Sequence, residues 1–322
     1  MSLQLRYRES WLPGVTRRQM IFSGGLKNWL SSCQWDPETG MTRKRLTVAV
    51  HSAERFVDAC VNDTITLAVA AFESASVRET KQLDDKSCAW QFIRYYYAAY
   101  FAANALMRLC GHACTNLSAA DATNINEQAS LYGVGGNTDS TKFAAGQYLV
   151  QFLPSKTPTV SLRLSTAKGG VHIQFWSGFL QFLTTLIVDI NAGSAIAADK
   201  KAAIDELNAL MAELQRSGSQ QGSWLSEMRN GVNYRFEHGM WFPYDVSTTD
   251  WKSMQKSMRS GLDGETNILN MSSSLSDVQR AVRTCSFLLR WLQLSMQTIQ
   301  EVSGGKKRSM ITDGVIRYAA HV

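Results

Sequence analysis

Residues 228–239 read Met-Arg-Asn-Gly-Val-Asn-Tyr-Arg-Phe-Glu-His-Gly, a run with two arginines, two asparagines, a glutamate and a histidine. Of these, the His238 imidazole can take or give a proton. Arg229 and Arg235 carry fixed positive charge that can bind or stabilise a phosphate-like anion, and Asn230 offers an amide to orient a reacting group. A proton carrier beside a fixed cation is what an anionic transition state needs when side chains alone serve it. The competing reading is local, with Arg229, Glu237 and His238 forming a salt-bridged helix terminus that Gly239 and Pro243 close.

Other constellations are weaker. Cys110, His112 and Cys114 have spacing for two metal ligands but lack a second pair, so a helix end followed by a loop is expected and no metal site is. Arg108 with His112, and Arg317 with His321, are helix-spaced pairs that read as surface pairing. The Gly133-Val134-Gly135-Gly136 stretch is not preceded by an apolar strand and makes a poor nucleotide cradle. No phosphate-loop, zinc-protease or serine-elbow motif occurs, so no cofactor is expected.

The elements that must position the cluster follow from periodicity. Ala53, Val57, Cys60, Thr64, Leu67 and Ala71 step by four and three, predicting a helix over 51–74. Residues 86–110 are apolar on nearly every face, lack Gly and Pro, and end at Gly111, which predicts a central, enclosed helix with Tyr97 buried in it. Asn104 within it must find a partner, for which a neighbouring helix is the natural source. From 113 to 146 the chain turns small and polar and reads as a long loop with at most one short helix. Gln147–Leu153 and Thr159–Thr166 then read as a hairpin with one wet face. Helices resume over 171–190 and about 197–216. Leu275, Val278, Val282, Cys285, Leu289, Leu292, Met296 and Ile299 mark a last long helix, opened by a Ser276/Gln279 capping box. Such a three-four stripe serves either a bundle seam or a dimerising coiled coil.

One of these helices carries a likeness to a known family. Residues 89–107, Ala-Trp-Gln-Phe-Ile-Arg-Tyr-Tyr-Tyr-Ala-Ala-Tyr-Phe-Ala-Ala-Asn-Ala-Leu-Met, continue to Gly111 as Ala-Leu-x-x-x-x-Gly. This resembles the tyrosine- and alanine-rich signature helix of the HEPN superfamily (higher eukaryotes and prokaryotes nucleotide-binding). The resemblance implies a metal-independent endoribonuclease acting as an effector of a bacterial toxin or antiviral defence system. It also implies active groups at a two-fold interface, hence a homodimer. The family motif sets an arginine, usually a polar residue, and a histidine after four to six intervening residues. Arg229-Asn230 matches its beginning, whereas eight residues separate Arg229 from His238 and two separate Arg235 from His238. RNA is the fitting substrate, since its 2′-hydroxyl is a built-in nucleophile.

Composition sets the remaining bounds. The 322 residues, 45% hydrophobic and 19% charged, exclude wholesale disorder and disulfide-dense miniature folds. A net charge of +6 favours a polyanionic partner, and basic residues gather at Arg6, Arg8, Arg17, Arg18, Arg43, Lys44 and Arg45 and at Lys306, Lys307 and Arg308. Six scattered cysteines suit a reducing compartment. No leader segment is read at the N-terminus, and the apolar stretch 171–190 is interrupted by His172, Gln174, Gln181 and Asp189, so it reads as a core helix. The expectation is a mainly α, elaborated helical bundle of HEPN-like type in one domain, 1–322, with a loop and β-hairpin insertion at about 113–168. Its place is cytoplasmic and its partners are RNA or other nucleic acid and a protein, with no membrane. The rival is a non-catalytic helical scaffold or regulatory subunit of a multiprotein or nucleic-acid-binding complex.

Overall fold

A computed structural model describes residues 2–18, 24–76, 88–134, 141–241, 245, 252, 254–255, 258, 268–303 and 315. In chain order its main elements are α1 (Ser2–Glu9), α2 (Leu26–Ser31), β1 (Trp35–Pro37), β2 (Arg45–Val50), α3 (Ala53–Ala75), α4 (Cys88–Leu109), β3 (His112–Leu117) and α5 (Ala119–Leu131). Then follow β4 (Gly146–Leu153), β5 (Thr159–Leu164), α6 (Val171–Ala192), α7 (Ala197–Leu214), α8 (Trp224–Tyr234) and α9 (Asp277–Val302). Arg317, His321 and Lys306–Arg308 lie outside the described residues.

The helices begin and end where side-chain chemistry dictates. Ser276 Oγ accepts from Gln279 N at 3.3 Å while Ser276 N donates to Gln279 Oε1 at 3.0 Å, so the expected capping box starts α9. Gly111 ends α4 with φ of +70°, the left-handed geometry that glycine adopts without a Cβ penalty. A Cβ at Gly111 would also fall 2.7 Å from Leu12 Cδ2 and 2.8 Å from Phe152 Cβ.

The expectation of a mainly α bundle with a small β-hairpin insertion is corrected by a five-stranded antiparallel sheet in the order β1-β2-β5-β4-β3. The fold is therefore mixed α and β. The expected hairpin is present as β4 and β5, pairing Val150 with Leu162 and Phe152 with Val160, but it forms the middle of a sheet and is no insertion. The expected loop after 113 begins with β3, which pairs along β4 from His112↔Gln151 to Leu117↔Gly146, and continues into α5. β3 escapes a hydropathy reading because its residues are small or polar. α6 presses onto it so closely that a Cβ on Gly178 would sit 2.4 Å from Cys114 Sγ. On the other sheet face Phe152 stacks on Phe56 of α3 with ring centroids 4.9 Å apart. Arg163 and Asn116 remain exposed on the face that α6 covers only in part.

α4 is the hub, packing against α3, α9, α8, α6 and β3. Buried residues from α3, α4, α6 and α9 belong to one continuous apolar cluster, as the helix patterns require. The α9 stripe from Val278 to Ile299 is wholly buried, so it is a seam of this core and offers no face to a second copy. Tyr95 Oη meets Ser286 Oγ at 2.7 Å between α4 and α9, and Tyr7 Oη donates to Leu106 O at 2.5 Å. Asn104 turns to its own helix instead of a neighbour, donating to Tyr100 O at 2.9 Å.

Two buried arginines are neutralised by carboxylates. Arg280 Nη1 lies 2.5 Å from Glu213 Oε1, and Arg108 Nε lies 3.0 Å from Asp63 Oδ2. Arg108 is thus a core residue and not a surface partner of His112, whose carbonyl it also bonds at 3.3 Å. The described cysteines are free, and burial pushes the Cys114 thiol up to about 12. Among the described residues no group of three or more His, Cys, Asp or Glu could hold a metal ion.

α4 is less enclosed than its composition predicts. Trp90 and Arg94 are exposed and Tyr97 and Phe101 half-buried, forming a stripe that reaches the surface, whereas Tyr95 and Tyr96 are fully buried. Tyr95→Ala is therefore expected to lower stability by about 3–5 kcal/mol. Tyr97→Ala should lower it by clearly less. Urea titration of the two variants checks the order, and equal losses would show that the stripe is enclosed after all.

Candidate functional site

The predicted cluster lies at the end of α8. The helix stops because Phe236 and His238 take left-handed backbone angles, φ of +55° and +67°, which place both outside helical geometry. Arg235 N and Glu237 N both donate to Gly231 O, at 3.3 and 3.0 Å, folding the chain back over the last turn. The absence of a side chain at Gly231 makes room for three functional groups. Glu237 Oε2, His238 Nε2 and Arg235 Nη2 lie 2.6, 3.2 and 3.3 Å from the point a Cβ there would occupy. Arg235 Nε pairs with Glu237 Oε1 at 2.8 Å. Arg235 and His238 are thus brought together, with Glu237 orienting the guanidinium, and all three are exposed.

Arg229 points elsewhere. Two residues before Gly231 on the same helix, it stands about 200° around the axis from it. Its side chain is only 5% exposed and lies among rings: its Cζ is 5.5 Å from the Tyr96 centroid, 5.8 Å from Tyr97 and 5.7 Å from Tyr234. Nη1 reaches Tyr234 Oη at 3.5 Å, and buried Nε has no hydrogen-bond partner. Asn230 is half-buried between these two directions. The ion pair at the helix end is accordingly Arg235 with Glu237, and Arg229 takes no part in it.

The tyrosines around Arg229 hold a histidine that sequence reasoning treated only as a polar interruption. His172 sits at the second position of α6, and its Nδ1 is 3.0 Å from Tyr96 Oη. The same oxygen accepts a hydrogen bond from Trp176 Nε1 at 3.0 Å. The His172 ring also lies 5.6 Å from Tyr97 and 4.7 Å from Tyr100. Burial, helped by the nearby Arg229 charge, lowers its pKa to about 4. Burial likewise pushes the Tyr96 hydroxyl up. A Tyr96 hydroxyl that donates to Nδ1 would leave the proton of the neutral ring on Nε2. The available signal is a histidine two residues after Gly170, at a helix start; its link to Tyr96 is tertiary.

Exposed rings stand at the end of α8. Tyr234 is 68% and Phe236 67% exposed. Trp241 contacts Phe236 at 5.9 Å and the exposed Trp90 at 5.7 Å, and is anchored by Nε1 donating to Val232 O at 2.6 Å. Aromatic faces beside Arg235 and His238 make a surface suited to unpaired bases and phosphates.

Comparison of the chain with family models, curated proteins and solved structures returns no match. One described helix, α6, is long and apolar enough to cross a membrane. Its Phe175, Trp176, Phe179, Phe182 and Leu183 are buried in the core cluster.

Desolvation of His172 has a consequence for pH dependence. His112 is similarly held near 4, chiefly by burial and then by Arg163. The folded values lie below the ordinary 6.5, so the unfolded chain binds more protons between about 4 and 6.5. Both groups leave stability intact above 6.5 and erode it as pH falls toward 4. NMR of the imidazole rings should find His172 neutral at pH 5, and His172→Gln should flatten the loss of stability over that range. A His172 ring titrating near 6.5 would refute the assignment.

Proposed function

We propose that this protein binds single-stranded RNA and cleaves it without a metal at the end of α8. The observation that carries the reading is the convergence of Arg235, Glu237 and His238 over the bare backbone of Gly231, beside the exposed Tyr234 and Phe236 rings. Bases stack on the aromatic surface, and the phosphate is drawn to Arg235. His238 removes the proton from a ribose 2′-hydroxyl. The 2′-oxygen then bonds to phosphorus while the bond from phosphorus to the 5′-oxygen breaks. The leaving 5′-oxygen takes the proton back from His238, so the products are a 2′,3′-cyclic phosphate and a 5′-hydroxyl. Arg235, held by Glu237, stabilises the charge that accumulates on the phosphorane. The HEPN-like signature within α4 supports extending this to an effector of a toxin or antiviral defence system, working in the cytoplasm with a protein partner or as a homodimer.

A second reading is a non-catalytic subunit that docks a partner through the same surface. The exposure of Trp90 at 53% and its contact with Trp241 favour it, because large exposed rings in one patch commonly mark an interface.

The two part in one assay. On a fluorescent single-stranded RNA, His238→Ala is expected to lower cleavage by about 100-fold or more while circular dichroism stays unchanged, and a chelator should leave the wild-type rate intact. Arg235→Lys should also impair the reaction, because an ammonium keeps the charge but loses the planar fork. Full activity in His238→Ala, or no cleavage by wild type in the presence of its cellular partners, would favour the docking subunit.

A further inference from the structure

Among the described residues, Arg229 is the buried arginine without a counterion. Arg108 and Arg280 each face a carboxylate within 3.0 Å, yet Arg229, equally buried, has only tyrosine rings, one hydroxyl at 3.5 Å, and a bare Nε. No acidic side chain pairs with it among the described residues. A desolvated guanidinium in that state is strongly unfavourable unless an anion completes it.

The neighbourhood supplies the rest of an anion site. Arg229 and His172 pack against the same two rings, Tyr96 and Tyr97, and the Arg229 charge acts on the His172 ring at the second position of α6. That 22-residue helix has Gly170 as its N-cap, with no side chain capping it. The first intrahelical bond is Gln174 N to Gly170 O at 3.1 Å, leaving the N–H groups of Val171, His172 and Ile173 without helical partners. A Cβ added at Gly170 would meet nothing within 4 Å, so the approach to these donors is open. Tyr97 and His172 are half-buried and Tyr234 is exposed, which brings the cluster to the surface on this side. Lys168 stands in the preceding loop.

We propose that a phosphate group binds here, its oxygens shared between the Arg229 guanidinium, Nε2 of His172 and the N–H groups opening α6. Phosphate matches the donor set because it presents several oxygens to donors that converge from different directions, and helix starts favour negative charge. The site is separate from the Arg235, Glu237 and His238 cluster and does not depend on cleavage there. The phosphate has two sources, an RNA backbone diester or a terminal monoester, and they differ in charge and steric demand.

Thermal unfolding of the full chain, with sodium phosphate against sodium chloride at equal ionic strength, tests the proposal. Wild type should gain stability from phosphate beyond what two variants gain. Arg229→Met removes the isolated charge and should unfold at higher temperature than wild type without phosphate, and it should lose the specific gain. Gly170→Asp places a resident carboxylate at the N-cap, where it caps α6 and occupies the anion's place. It too should be more stable and unresponsive, and it carries the test should Arg229→Met fail to fold. Isothermal titration in the His238→Ala background, where cleavage is removed, should show phosphate affinity falling at least tenfold in both variants. In that background a 5′-phosphorylated RNA that displaces phosphate when its 5′-hydroxyl counterpart does not would assign the site to a terminal monoester. Equal displacement by both would assign it to the backbone. No specific gain in wild type, or the same gain in both variants, would overturn the proposal; His238→Ala retaining full cleavage activity would overturn only the reaction centre.

Discussion

Close packing of α3 on α4 is the constraint from which the remaining arrangement follows. Both helices bury alanines, Ala59, Ala68, Ala71 and Ala75 on one and Ala98, Ala99, Ala102 and Ala103 on the other, and small side chains let two backbones approach. With α4 fixed in the middle, its large residues are divided by direction. Tyr95 goes to α9, Tyr96 to α6 and α8, and the Trp90, Arg94, Tyr97 and Phe101 stripe to the surface. β3 packs against α4 and leaves it directly at Gly111, so the strand order also depends on where α4 ends.

The protein treats its buried charges in two ways. Glu213 with Arg280 and Asp63 with Arg108 are closed pairs, each with further hydrogen bonds, and they lock neighbouring elements in place. Around Arg229 the structure instead provides π faces and a neutral histidine, which soften a positive charge without cancelling it. An incomplete electrostatic environment next to an uncapped helix start is the kind of local inconsistency that a bound ligand resolves. The exposed cluster at the end of α8 is different in character. Its cation is paired and oriented, and its histidine is open to solvent, which suits turnover more than retention.

The sequence by itself determined the elements whose signal is local. Periodicity places α3, α4, α6, α7 and α9 within a few residues of their observed ends, and the Ser276/Gln279 box and Gly111 mark two boundaries, because caps and apolar faces involve residues one to four positions apart. It placed Arg235 three residues before His238 but left open which arginine meets that ring; the structure brings Arg235 Nη2 and His238 Nε2 together over Gly231. Tertiary structure decided the rest. β1, β2 and β3 become a sheet only through partners up to more than a hundred residues away, and the small residues of β3 reflect the pressure of α6 and not a preference for extended chain. The separation of Arg229 from His238, and its union with Tyr96 and His172, likewise depend on which face of α8 meets α4. That is a choice among apolar faces of similar width, and only the packing of the whole core makes it.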